Sequence, residues 1–102
     1  MTSPWKALAD DSRRQMLQLL KDEEMTPSQI RTRFLLTLPA VSTHLRVLKD
    51  AGLVVERRQG KYRFYSVNFE AVSDVVSFFD GFWQERRLKP ERRGEKMGRR
   101  GP

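Results

Sequence analysis

The sequence predicts a mainly helical domain closed by one small β-hairpin, and three observations carry that prediction. Four stretches of helical apolar spacing each begin at a capping residue: Asp10-Asp11, Thr26, Thr37 and Asn68. Two segments rich in β-branched and aromatic residues, 53–58 and 62–67, are separated by Gln59-Gly60-Lys61, which reads as a turn. The join between the third and fourth helices is only a few residues long. The resulting order, α1-α2-α3-α4-β-hairpin-α5, is that of a winged helix-turn-helix.

Residues 4–9 suit a short first helix with Trp5 and Leu8 on one side. A second helix over about 12–22 follows Asp10-Asp11, with Met16, Leu19 and Leu20 on one face. Thr26-Pro27-Ser28-Gln29 matches a capping box with proline at the first helical position, and Met25 and Ile30 stand where a hydrophobic staple is placed. This third helix is expected to run to about Phe34. Thr37 caps a fourth helix with Pro39 in its first turn and a stripe of Val41, Leu45 and Leu48. Gly52 sits just past its end, where a left-handed residue is needed, and Leu53 is placed to pack back on Leu48. Asn68 caps a last helix over 69–88.

The chain has 102 residues and a net charge of +7, with 32% charged and 38% apolar residues. That length allows one domain, assigned to 4–88, followed by a basic tail over 89–102 with no apolar face and the composition of disorder. The absence of cysteine excludes disulfides, thiolate metal sites and cysteine nucleophiles, and a lone histidine excludes a multi-histidine metal site within one chain. No apolar run is long enough for a membrane span and no secretory leader is visible, so the expected location is the cytoplasm. Neither a glycine-rich phosphate loop nor a nucleophile–base pair is present, so an enzyme is not expected and no cofactor is implied.

The charge is unevenly spread. Residues 1–30 carry four basic and five acidic groups (−1), 31–63 eight and two (+6), 64–85 none and four (−4), and 86–102 eight and two (+6). The positive charge of the domain is therefore gathered on the third and fourth helices and the hairpin. The tail is a second block, suited to salt-sensitive, sequence-blind attraction to nucleic acid.

On a wheel of about 100° per residue, Val41, Leu45 and Leu48 cluster, and Pro39, Thr43, Arg46 and Asp50 fall opposite, flanked by Ser42 and Val47. The outward face is small and polar in its N-terminal half. Such a helix fits the major groove, with Ser42, Thr43 and Arg46 able to meet bases or phosphates. A merely solvated face is the alternative. His44 lies beside the core stripe, where packing, capping or a phosphate contact is more usual than metal ligation.

In the hairpin, Arg57, Arg58, Lys61 and Arg63 surround the turn. Strand alternation forbids Arg57 and Arg58 from sharing a side, and DNA contact is expected first of Arg58 and Lys61. The competing role for these charges is to block edge-to-edge sheet pairing. On the last helix, Val72, Val75, Val76, Phe78, Phe79, Phe82 and Trp83 cover about half the circumference, more than one core needs. The surplus predicts a second subunit against Val75, Phe78, Phe79, Phe82 and Trp83, joined by Trp5 and Leu8. A cofactor pocket lined by the aromatics is the competing idea. A two-fold dimer would set two recognition helices about 34 Å apart on double-stranded DNA.

Lys6 to Arg14, Ala40-Val41-Ser42-Thr43-His44-Leu45-Arg46-Val47-Leu48-Lys49-Asp50-Ala51-Gly52-Leu53-Val54, and Arg57-Arg58-Gln59-Gly60-Lys61 through Val67 together resemble the ArsR/SmtB family of winged-helix repressors. The resemblance covers about residues 5–88. It implies a homodimeric repressor that binds operator DNA through Leu38, Pro39, Ser42 and Thr43, with wing residues Arg58 and Lys61. Leu38 departs from the family pattern, where a polar residue is common, and leaves a thymine-methyl contact in place of polar readout. The family's metal sensors use cysteines or histidine–carboxylate sets on the last helix. This chain has neither, so metal sensing is not expected. Phe78-Phe79-Asp80-Gly81-Phe82-Trp83-Gln84-Glu85-Arg86 looks like the branch that includes SdpR-type autorepressors and regulators encoded beside SRPBCC proteins. The other class of function is a protein- or RNA-interaction module on the same scaffold, with the basic tail as an arm.

Overall fold

A computed structural model describes residues 2–88, with side chains through Trp83. The tail expected over 89–102 lies outside the described residues. The element order is α1 (Pro4–Ala7), α2 (Asp11–Leu20), α3 (Pro27–Arg31), α4 (Leu38–Asp50), β1 (Val54–Gln59), β2 (Tyr62–Val67) and α5 (Phe69–Leu88).

Local chemistry sets most of these boundaries. Ser3, Asp10, Thr26 and Thr37 each turn a side-chain oxygen onto the third amide of the helix that follows, at 3.1–3.2 Å. The Arg13 amide holds the Asp10 carboxyl below its usual value. Thr26 and Gln29 form the reciprocal capping box, with the Gln29 side chain accepting from the Thr26 amide at 2.9 Å. The end of α4 is a complete Schellman stop. Leu53 N–H donates to Leu48 at 3.0 Å and Gly52 N–H to Lys49 at 2.9 Å, with Gly52 at φ +80°.

Three helices stop sooner than their periodicity predicts. α1 ends at Ala7, α2 at Leu20 and α3 at Arg31. Past Arg31 the chain tightens: Arg33 N–H bonds Ile30 at 2.9 Å, Phe34 N–H bonds Arg31 at 3.1 Å, and Thr32 Oγ1 donates to Gln29 at 2.7 Å. These bonds back to the third preceding residue leave the α-helical path before Phe34.

β1 and β2 pair antiparallel in the register Val54↔Val67 to Gln59↔Tyr62. The loop is thus the two residues Gly60 and Lys61, with Gly60 at φ +61°. A bridge not anticipated from the sequence extends the sheet: Met25 and Tyr65 exchange backbone bonds of 3.0 and 2.8 Å.

The core is one cluster: Ala7, Met16, Leu20, Met25, Ile30, Val41, Leu45, Leu48, Leu53, Val54, Tyr65 and Val67. It contains the staple pair and the whole α4 stripe. α4 packs on α1, α2, α3 and β1, while β2 packs on α2 and α3. Arg13 clasps this centre. Its Nε donates to the Ala7 carbonyl at 2.7 Å, its Nη2 to Lys6 at 3.3 Å, and its Nη1 lies 3.2 Å from His44 Nδ1. His44 is therefore engaged in tying α4 to α2 and the end of α1.

α5 leaves this core quickly. Asn68 fixes its start, with its N–H on Leu53, its Nδ2 on Gly52 and its Oδ1 accepting from Ala71 at 3.4 Å. Among the described side chains of α5, only Ala71 and Val72 pack on the core cluster.

Candidate nucleic-acid interface

The surface built by α4 and the hairpin follows from how each is anchored. Burying Val41, Leu45 and Leu48 turns the opposite side of α4 to solvent. Pro39, Thr43 and Arg46 are exposed there, Ser42 is half-buried at its edge, and Leu38 at the first helical position is 40% exposed. Because Val54 and Val67 face the core, the period of two puts Glu56, Arg58, Arg63 and Tyr65 on the same side of the hairpin. Arg57, Gln59, Tyr62 and Phe64 take the other side.

That division separates the arginines chemically. Arg57 Nε and Nη2 grip Glu24 at 3.2 and 2.5 Å, Nη1 donates to Gln59 at 2.9 Å, and its guanidinium lies 4.7 Å from the Phe64 ring centroid. The guanidinium holds the Glu24 carboxyl below its usual range. Lys49 donates to Glu56 at 2.6 Å, and Arg63 approaches the other carboxylate oxygen at 3.7 Å. These cations pull the Glu56 pKa down, with the Lys49 hydrogen bond as the leading cause and burial opposing it. Arg46, Arg58 and Lys61 enter no ion pair among the described residues. Arg58 stands directly across from Arg63. Like charges at paired positions oppose hairpin formation and favour an anionic partner.

Leu38, Ser42 and Lys61 come together at a concavity of about 220 Å³, with Thr26, Pro27, Ser28, Tyr62 and Arg63 as the other walls. Pro39, Thr43 and Arg46 lie outside that group on the exposed side of α4, and Arg58 lies on β1. Sequence reasoning did not bring Tyr62 or the start of α3 to this concavity. Strand alternation from the buried Tyr65 and Val67 would have placed Tyr62 away from the core. The approach of Thr26 and Ser28 to the hairpin depends on the Met25–Tyr65 bridge, which has no local signature.

The second expected surface also has a definite geometry. Trp5 stands edge-on to Phe78 and Phe79 with ring centroids 5.2 and 5.7 Å away, and Phe78 meets Phe79 and Phe82 at 5.4 and 5.1 Å. These rings remain about half exposed, as does Trp83 at 61%. Val75 is half-buried, and Leu8 packs partly on the core. Among the described residues, no group of three or more histidine, cysteine, aspartate or glutamate side chains could hold a metal ion. No described helix is long and apolar enough to cross a membrane.

Comparison with known proteins agrees with this architecture. A profile of the arsR family of bacterial regulatory proteins matches residues 10–55. The transcriptional repressor SdpR of Bacillus subtilis is 34% identical over 82 residues, which are 80% of this chain and 91% of that protein. The crystal structure of an ArsR family transcriptional regulator superposes with a TM-score of 0.74 at 26% identity, over 83% of this chain and 93% of that one. The homodimeric winged helix-turn-helix DNA-binding domain of a possible ArsR-family regulator from Mycobacterium bovis, solved in solution, gives a TM-score of 0.65 at 33% identity, over 83% and 78% of the two chains. The chain belongs to the arsR family of bacterial regulatory proteins, which are transcriptional regulators and not enzymes, and its fold is their winged helix-turn-helix.

Proposed function

We propose that the chain is a homodimeric repressor that reads an inverted-repeat operator on double-stranded DNA in the cytoplasm. α4 enters the major groove, whose width of about 12 Å admits a helix. Leu38, Pro39, Ser42 and Thr43 then stand nearest the base edges, and Arg46 reaches a guanine edge or a phosphate. The wing brings Arg58 and Lys61 to the backbone or a narrow minor groove. The observation that carries this reading is the distribution of unpaired cations. Among the described residues, Arg46, Arg58 and Lys61 enter no ion pair beside the exposed polar half of α4, whereas Arg57 pairs with Glu24, and Lys49 and Arg63 share Glu56.

The dimer is supported by the half-exposed cluster of Trp5, Phe78, Phe79 and Phe82 and by the homodimeric M. bovis relative. Repression is supported by the similarity to SdpR. No metal is needed for this reading: the sequence has no cysteine, and its one histidine is engaged by Arg13.

The test is a gel shift with the chain's own upstream region at moderate salt. A slower band that requires an intact inverted repeat is expected. Arg46→Ala should weaken binding by about 1–3 kcal/mol where the contact is a base edge. Absence of a shifted band on a repeat-bearing fragment sinks autorepression, and unchanged affinity removes Arg46 from the interface.

A further inference from the structure

We infer that Leu38 reads the 5-methyl group of a thymine in each operator half-site, with Tyr62 and Ser42 as the walls of its seat. The inference rests on the DNA-binding reading above and adds a base preference to it. Leu38 is the first residue of α4, and N-terminal residues of a recognition helix lie closest to the base edges. Leucine there is only partly covered by the protein. It belongs neither to the core nor to the apolar residues packed against it, and 40% of it remains exposed. It lines the same concavity as Ser42, one turn along α4, and Tyr62, from the first position of β2. Tyr62 is 54% exposed, with its ring 6.5 Å from that of Phe64 and Lys61 Nζ 5.5 Å from its centroid.

The concavity thus has an apolar side made by a leucine and an aromatic ring, with hydroxyls and cations around it. Base edges in the major groove present hydrogen-bonding groups and one apolar group, the thymine methyl. A leucine set against any other base edge would desolvate a polar group without returning a hydrogen bond. The methyl is the group this seat fits, and Tyr62 excludes water from it on the wing side. Lys61 at the rim fixes the register by holding a neighbouring phosphate.

The test uses the full chain and the DNA it selects from a random pool. Each thymine of the selected operator is replaced in turn by deoxyuridine, which removes the methyl and leaves the hydrogen-bonding edge unchanged. One position per half-site should lose roughly four-fold in affinity, the equivalent of burying one methyl-sized group, and both half-sites together about fifteen-fold. Leu38→Ser should bind thymine and uracil equally at that position, and its selected consensus should lose the preference. Leu38→Met should keep both. Leu38 is exposed at a helix start, so far-UV circular dichroism of the variants should match the parent. Operator binding with no uracil effect at any thymine overturns the inference alone, as does an undiminished effect in Leu38→Ser. Failure to select any DNA overturns the DNA-binding reading and this inference with it.

Discussion

Glu56 shows how much a single side chain settles at this surface. Only 11% of it is exposed, one oxygen accepts from Lys49, and the other is buried without a hydrogen bond, 3.7 Å from Arg63. Its pKa in the folded chain lies below the ordinary glutamate value of the unfolded chain. A depressed carboxylate contributes stability above its unfolded value and loses that contribution as pH falls through the folded value. Glu56→Gln should therefore lower the urea midpoint at pH 7, and the difference from the parent should shrink as the pH is lowered through the acid range. A pH-independent difference would mean that packing of the side chain, and not its charge, is what matters. The same residue occupies Lys49 and Arg63, and Arg58 and Lys61 enter no ion pair among the described residues, which suits the wing to the anionic partner proposed above. None of this was legible in the sequence. Glu56 contacts Lys49 across the helix–strand exit, Arg57 meets Glu24 from 33 positions away and Arg13 meets His44 from 31 away. Such pairs exist only once the fold has brought the elements together.

At the scale of elements, what was legible was whatever is decided within a few residues. The caps at Asp10, Thr26 and Thr37 and the stop at Gly52 are local contests for backbone amides and carbonyls, and they fall where the sequence places them. The early end of α3 was not legible, because Thr32-Arg33-Phe34 contains no glycine or proline to announce it and the turn is made by bonds to the third preceding residue. Gly52 is the most exacting of these positions, since it sets the angle between α4 and the wing. A Cβ there would meet nothing within 4 Å, so a substitution is costly for backbone reasons alone. Gly52→Ala should destabilise the domain by about 1–2 kcal/mol, the penalty for a left-handed L-residue. Gly52→Asn should cost less, because asparagine tolerates that region. Urea denaturation of the two variants checks the order. Equal losses would show that the cost arises from something other than φ.

For the whole molecule, the question is what covers α5. Twenty residues of helix extend about 30 Å, yet only Ala71 and Val72 among its described side chains rest on the core. The sequence wheel predicted an apolar arc too wide for one core, and among the described side chains of the helix none beyond Val72 packs against the core cluster. Trp5 covers part of Phe78 and Phe79, and the rings stay about half exposed. A two-fold interface would use the same patch on both protomers and would hold the two α4 helices at a fixed spacing. In that arrangement a glutamate in place of Phe79 is buried unpaired twice, at roughly 2–3 kcal/mol or more each, which raises the dimer dissociation constant by at least about a thousandfold. Phe79 lies outside the core cluster, so the protomer should keep its far-UV circular dichroism. Sedimentation should then find monomers where the parent is dimeric. Operator affinity should fall with it, because each protomer is left with one recognition helix, while residual binding to a single half-site persists through Arg46, Arg58 and Lys61. A Phe79→Glu variant that still sediments as the dimer would place the interface elsewhere, and the spacing of the two α4 helices would have to be set by another surface.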